Sequence, residues 1–443
     1  MTGSALPPPA LDFLPGCLPD SKTDLLAVAV SGGADSFSLL DRLHQSGRKL
    51  LALTVDHGLR PESADEALRV AAWCKAHGIP HQTLHWHADT PSTGLQAAAR
   101  AARYRLLIEA AQAAGTVGVV TGHTADDQAE TVMQRLARGS AEGLAAMAPV
   151  TWIAAGAGAP MPLYRPLLGT RRGDLAAYAA ARGLPVSTDP SNVDQRFERI
   201  RYRGLLAALA QQDLMSVEAL CRTAARQRDL VVQAENAQRT LAARADFDIT
   251  PWGSAIFADR SVIEGAAAPL RAGVLAAVIG AIGGRQVSAS DVPSSAGFTL
   301  GGCEVSAMGK GLAIFRDVGD LRGRADGATG LTETSLPISE KSILWDCRFY
   351  LDSDALPRHG VLQPLAQALP KEVVTSTTAR RKIAGVPCIV EAGAITHVPE
   401  IAFDAIAAAL RGWKEGEASL LNWRTFNARN AVSPDVWRRV IRY

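Results

Sequence analysis

Two stretches of this 443-residue chain crowd together groups that could act on a charged substrate. The first is SGGADS, comprising Ser31, Gly32, Gly33, Ala34, Asp35 and Ser36, which follows the apolar run LLAVAV (25–30) and leads into FSLLDRLHQ. Its glycines let the backbone approach a ligand closely and accept positive φ, while the free N–H groups of a helix start favour an anion. The serine hydroxyls add donors, so the turn suits a phosphate or pyrophosphate. Asp35 falls beside that anion, where a carboxylate can hold Mg2+; a turn hydrogen bond is the plain structural alternative. No GxxxxGK[ST] loop is present, which argues against γ-phosphate chemistry of the kinase or GTPase kind. GGCEVSAMGKG (301–311) only imitates one, with the wrong spacing and a glycine after the lysine.

The second stretch is GHTADDQAET (122–131). Gly122 and His123 close a strand, and Asp126, Asp127 and Glu130 fall in the first turn or so of the helix that follows. Asp127 and Glu130, three apart, share one helix face. The helix macrodipole alone also draws carboxylates to this position. Asp126 is a second candidate for the metal. Arg100 and Arg103 are likewise three apart, and a guanidinium fork there suits a carboxylate or a phosphate, or simply a solvated surface. Asp56 ends a strand between Val55 and His57, at the mouth of the expected site. In HQTLHWHA (81–88), alternation puts His81, Thr83, His85 and His87 on one face. Without a fourth ligand nearby, these read as solvated or satisfied histidines rather than a metal site.

These groups need a scaffold, and the pattern supplies one. From residue 24 to about 190, β-rich runs alternate with Ala-rich helical stretches: an α/β, doubly wound, mostly parallel sheet, with ligands at the carboxyl ends of its strands. The candidate strands are 25–30, 50–56, 81–88 and 117–122, the first, second and fourth apolar enough to be buried on both faces. The expected organisation is an extension at 1–23, a catalytic domain at 24–200, a helical domain with a hairpin at 201–320, a polar linker at 321–342 and a small mixed α+β domain at 343–443. The apolar run 272–284 is shorter than the ~20 residues of a membrane span and reads as a buried helix. Six scattered cysteines without CxxC, and an amino terminus without a secretory pattern, point to reduced thiols in the cytoplasm. Arginines and lysines (46) nearly balance acidic residues (44), so any nucleic acid would be gripped by local arginine patches rather than by a general basic field.

SGGADS resembles the PP-loop of the ATP pyrophosphatases, which split ATP between its α and β phosphates. With VDHGLR (55–60), ARAARY (99–104), GHTADDQAET, RLARGSAEGL (135–144), RPLL (165–168) and DPSN (189–192), residues 24–205 resemble the tRNA(Ile)-lysidine synthetase family. The resemblance implies ATP-dependent, Mg2+-assisted ligation of L-lysine to C2 of the wobble cytidine of tRNA(Ile) with anticodon CAU, through an adenylated cytidine, releasing pyrophosphate and AMP. It assigns ATP to Ser31, Gly32, Gly33, Ala34, Asp35, Ser36, Val55, Asp56, His57, Gly122 and His123. It assigns lysine to the pair Asp127 and Glu130; beside that, Arg103 is a candidate for the lysine carboxylate, Asp35 and Asp127 are the catalytic candidates, and Asp127 by its position is the candidate proton acceptor. tRNA falls to Arg100, Arg165, Arg196, Arg199, Arg201, Arg380 and Arg381. One departure stands out: where the family carries arginine followed by asparagine, RFERIRYR (196–203) has Phe197 and Glu198. The open alternatives are a tRNA thiolase, a small-molecule amidoligase and a non-catalytic ATP-binding protein. The first usually needs paired cysteines, the second leaves the extra domains unexplained, and the third has no use for the acidic helix start.

Overall fold

The computed structural model describes residues 12–442 apart from 57, 59–61, 87–94, 141, 155–159, 188–197, 324–329, 339–341, 347, 370, 376, 411–423, 427 and 431–439. It divides into two compact units, residues 1–232 with 439–443, and residues 233–438. In chain order the first unit carries β1 (Leu26–Ala29), α1 (Ala34–Gln45), β2 (Leu50–Asp56), α2 (Glu62–Ala76), β3 (His81–His85), α3 (Leu95–Ala113), β4 (Val119–Val120) and α4 (Ala125–Ala137). It continues with β5 (Val150–Ala154), β6 (Met161–Tyr164), α5 (Arg172–Ala181), α6 (Glu198–Gln211) and α7 (Val217–Arg244), the last running on into the second unit. There follow β7 (Phe247–Ile249), β8 (Ala255–Phe257), α8 (Arg260–Glu264), α9 (Ala268–Gly283), β9 (Phe298–Leu300), β10 (Cys303–Met308), β11 (Gly311–Arg316), α10 (Val318–Arg322) and β12 (Thr334–Ser335). The remaining strands are β13 (Ser342–Trp345), β14 (Phe349–Asp352), β15 (Val361–Pro364), β16 (Pro387–Glu391), β17 (Ala394–Pro399), β18 (Arg424–Phe426), β19 (Ala428–Asn430) and β20 (Val440–Arg442). Among these lie α11 (Leu365–Ala368), α12 (Lys371–Thr375), α13 (Thr378–Ile383) and α14 (Phe403–Leu410).

The first unit is built on a seven-stranded sheet in the order β20-β5-β6-β4-β1-β2-β3, parallel throughout except between β5 and β6. Side chains of β1 alternate between two cores, as a strand period of two requires. Leu26 and Val28 pack with Phe37, Leu40 and Leu43 of α1, Val70 of α2 and Leu175 of α5. Ala27 and Ala29 face the other way, toward Tyr104, Leu107 and Ile108 of α3. Helices therefore cover both faces of the doubly wound sheet, and apolar runs rather than alternating ones mark its central strands. β2 has the expected bounds, β1 and β4 are shorter than expected, and β3 sits at an edge and ends at His85.

The second unit departs from the sequence expectation. Residues 201–320 hold helices and the hairpin β10–β11, and that hairpin is part of a five-stranded antiparallel sheet in the order β7-β8-β11-β10-β9, whose other strands were not expected. The run 272–284 is a buried helix as expected, α9, whose Val274, Leu275, Val278, Ile279 and Ile282 pack with the sheet, and Gly284 closes it at φ 67°. The stretch 321–342 is not simply a linker either, since α10 enters it and β12 pairs with β15. Strands of two or three residues are too short to leave a period in the sequence. The division within α7 was equally hidden, because the helix reads continuously across it. A second sheet, β12-β15-β16-β17-β18, and a third, β13-β14-β19, complete this unit. No helix among the described residues is long and apolar enough to cross a membrane. Cys17, Cys74, Cys221, Cys303 and Cys388 are free thiols, and Cys347 lies outside the described residues.

Candidate active site

The loop between β1 and α1 is folded by its own side chains. Ser36 Oγ donates to the Gly33 carbonyl at 3.0 Å and accepts the Ser31 N–H at 3.1 Å. Gly32 holds φ 85°, and its carbonyl accepts the N–H of Ser187 at 2.9 Å. The helix starts at Gly33 without a side-chain cap, so its first N–H groups, which no helix can satisfy internally, are available to an anion. On the far side Gly122 packs on the same turn: a Cβ there would stand 3.1 Å from the Asp35 carbonyl oxygen and 3.3 Å from the Ser36 nitrogen. Glycine lets the loop after β4 close this tightly over the loop after β1; a side chain there would need the turn to give by a few tenths of an ångström.

That closure brings the acidic helix start to the phosphate-type loop. Thr124 caps α4 in a reciprocal box: its hydroxyl accepts the Asp127 N–H at 3.2 Å, while Asp127 Oδ2 accepts both the Thr124 N–H and its hydroxyl at 2.9 Å. Arg172, the first residue of α5, reaches three carboxylates. Its Nη2 lies 2.8 Å from Asp127 Oδ1, its Nη1 3.4 Å from Glu130 Oε1 and its Nε 3.4 Å from Asp35 Oδ2. Glu130, 1% exposed, is also answered by Arg203 Nε at 2.9 Å. Asp126 binds Arg171 through Nε at 3.3 Å and Nη2 at 3.2 Å and accepts the Arg172 N–H at 2.7 Å; Arg171 also reaches Glu218 at 2.6 Å. Asp35, Asp127 and Glu130 thus surround one guanidinium.

Burial pushes the Asp35 carboxyl up to about 6; Arg172 opposes this and the neighbouring Asp127 adds to it. Burial works against the charge of Arg172, but Asp127, Glu130 and Asp35 outweigh it and raise its pKa. Asp35 Oδ1 is buried without a hydrogen-bond partner. An orphaned carboxylate oxygen beside a phosphate-type loop fits one protein ligand of a Mg2+ carried by nucleotide phosphates. Asp126 does not fit that role, because the expected metal ligand is committed to Arg171 and the backbone of α5. Among the described residues no group of three or more His, Cys, Asp or Glu could hold a metal by itself.

Other expected residues are placed as follows. Asp56 Oδ1 accepts from the Gly58 N–H at 2.9 Å and the Ser63 hydroxyl at 2.6 Å, beside Val55, while His57 lies outside the described residues. His123 Nδ1 is 2.9 Å from the Thr121 hydroxyl. His81 meets Thr54 at 3.0 Å and His85 meets Asp56 at 3.6 Å; His87 is outside the described residues. Arg100 stacks over the Tyr104 ring at 5.1 Å, and Arg103 is half-buried on the same helix. Arg165 is turned inward, 5% exposed, with Nη1 donating to the Ala148 carbonyl and the Thr151 hydroxyl at 2.8 Å. This bridge between β5 and β6 uses the guanidinium expected to grip RNA. Arg201 is exposed, and Arg196 and the Arg199 side chain lie outside the described residues. In the second unit Arg380 donates to the Ala409 carbonyl at 2.9 Å and Arg381 pairs with Glu304 at 3.2 Å. Sequence reasoning missed Arg171 and Arg172. Two arginines at a helix start oppose the macrodipole and so signal carboxylates elsewhere.

Residues 14–209 match a family described as a PP-loop domain. A tRNA(Ile)-lysidine synthase of Mesorhizobium japonicum is 35% identical over 373 residues, 78% of this chain and 76% of that protein. Its counterpart in Rhodopseudomonas palustris is 46% identical over 210 residues, 45% of this chain and 59% of the relative. Among solved structures, the U34-tRNA thiolase of Methanococcus maripaludis with its [4Fe-4S] cluster superposes with a TM-score of 0.40 at 18% identity, covering 46% of this chain and 73% of that one.

Proposed function

The chain belongs to the tRNA(Ile)-lysidine synthase family, and we propose that it joins the side-chain amine of free L-lysine to C2 of the wobble cytidine in an isoleucine tRNA with anticodon CAU. The reaction takes two steps. The C2 oxygen attacks the α-phosphorus of ATP, forming a C2–O–P link as the bond to pyrophosphate breaks. The lysine amine then attacks C2, AMP leaves with the oxygen, and a proton is lost from nitrogen.

The observation that carries this reading is the meeting of Asp127 and Glu130 with Asp35 around a single guanidinium, which sets a cation-binding pair beside the phosphate-type loop. Charge growing on the departing pyrophosphate faces the uncapped N–H groups of α1, a fixed dipole needing no rearrangement. Mg2+ bound with the nucleotide supplies further neutralising charge, with Asp35 as its protein ligand. Val55, Asp56 and His57 hold the adenosine, with Gly122 and His123 across the loop. A wobble base lies in a single-stranded loop and can be splayed into such a pocket without opening a duplex. Arg100, Arg201, Arg380 and Arg381 contribute to holding the tRNA, and Arg103 to holding the lysine carboxylate.

With an ordinary pKa near ~10.4, only about four lysine side chains in ten thousand are unprotonated at pH 7, so the ammonium must be captured first and lose its proton during attack. Asp127, which accepts from both groups of Thr124 and from Arg172, is held in place to capture the ammonium, and it then accepts the proton. Incubation with ATP, labelled lysine and tRNA is expected to give RNA-dependent label with stoichiometric pyrophosphate and AMP. Asp127→Asn is expected to release pyrophosphate yet transfer lysine slower by about two orders of magnitude or more. Formation of ADP and orthophosphate, or undiminished transfer by the variant, would overturn the reading.

A further inference from the structure

Arg172 stands where the substrate cation has to go. Its fork spends one N–H on each of three carboxylates rather than two on one, and only the contact to Asp127, at 2.8 Å, is short. Arg171 next to it is placed differently, with two nitrogens on Asp126 and a third on Glu218. The Arg172 backbone is separately tied, through its N–H, to Asp126 at 2.7 Å. The side chain can therefore leave while the start of α5 stays in place. The carboxylates keep other donors when it leaves: Asp127 retains both groups of Thr124, and Glu130 retains Arg203.

Charge makes departure conditional. Asp35, Asp126, Asp127 and Glu130 bring four carboxylates, against which stand Arg171, Arg172 and Arg203. Removing one of three cations from a partly buried cluster leaves charge uncompensated, which is costly unless another cation takes the place. An incoming ammonium does so.

We infer that Arg172 is a stand-in for the lysine ammonium: its guanidinium occupies the Asp127–Glu130 pair in the empty enzyme and exchanges with lysine when the substrate binds. Arg172 thereby sets the lysine affinity, since each binding event must first break the stand-in contacts, and cations too weak to break them are refused. This rests on the reading of Asp127 and Glu130 as the lysine site.

The test compares full-length wild type, Arg172→Ala and Arg172→Gln, each first shown by thermal unfolding to be folded, in lysine transfer at varied lysine. Removing the competitor is expected to lower the KM for lysine by about fivefold, the equivalent of one partly exposed ion pair. Guanidinium chloride at millimolar concentration is expected to raise that KM again in the variants, competitively with lysine. Either folded variant suffices. A KM for lysine that is unchanged or raised, or guanidinium that restores activity without competing, overturns the inference and leaves Arg172 as a resident of the loaded site. Asp127→Asn in the same assay separates the premise: if it leaves the KM for lysine unchanged, the pair is not the lysine site and both readings fall.

Discussion

A buried carboxylate costs the folded state once it ionises, and Asp35 is such a group. Its folded pKa of about 6 lies above the ordinary value of 3.8, so the folded chain binds the proton more tightly than the unfolded one. The sign follows: this group favours folding below pH 3.8, and the benefit is lost as pH rises toward 6. Above that window the ionised carboxylate costs about 3 kcal/mol, from the two-unit rise at ~1.36 kcal/mol per unit. Asp35→Asn is therefore expected to melt higher than wild type at pH 7.5, with the difference closing below pH 4, while pyrophosphate release collapses. Equal melting at pH 7.5 would show that the charge is already compensated. The residues of the loop and of the acidic helix were legible in the sequence because each occupies a few consecutive positions. Arg172 was not singled out, because its partners stand 42 to 137 positions away, and the arginine run 196–203 gave no sign that Arg203 meets Glu130, 73 positions away; only folding brings them together.

At the scale of elements, the site is a convergence of three helix starts, those of α1, α4 and α5, at the carboxyl ends of parallel strands. The Thr124 cap is the joint between stability and function, because the same hydroxyl closes α4 and donates to Asp127. Thr124→Ala is expected to cost about 1 kcal/mol of stability, as loss of an N-cap generally does, and to raise the KM for lysine more than that for ATP. Equal effects on both substrates would assign Thr124 to helix stability alone. β2 was legible to the residue because an apolar run bounded by polar turns fits a central strand. The hairpin of β10 and β11 was legible too, but the three-residue strands β7 and β8 were not, since their pairing is decided by packing on α9. The inward turn of Arg165 was equally hidden: RPLL reads as a basic motif, and only the position of β5 shows that the guanidinium is used there.

For the molecule as a whole, alternation of strands and helices announced the first unit, while the break between units fell inside a continuous helix where composition does not change. The sequence also gave no hint that 440–442 returns to pair with 152–154, because three residues carry no partner information. Deleting 439–443 is expected to bare the β5 edge and lower the melting temperature by a few degrees, each kcal/mol lost being worth roughly 2–4 °C in a domain of this size. An unchanged melting curve would mean that β5 needs no cover. This late return has a consequence during synthesis. The ribosome makes six strands of the catalytic sheet, then all of 233–438, and only then the seventh strand. At roughly 5–20 residues per second, the nascent sheet waits about fourteen to fifty-five seconds from the end of β6 to the start of β20 with one margin unpaired, an interval in which a holding chaperone or a quickly folding second unit would decide how much chain survives translation.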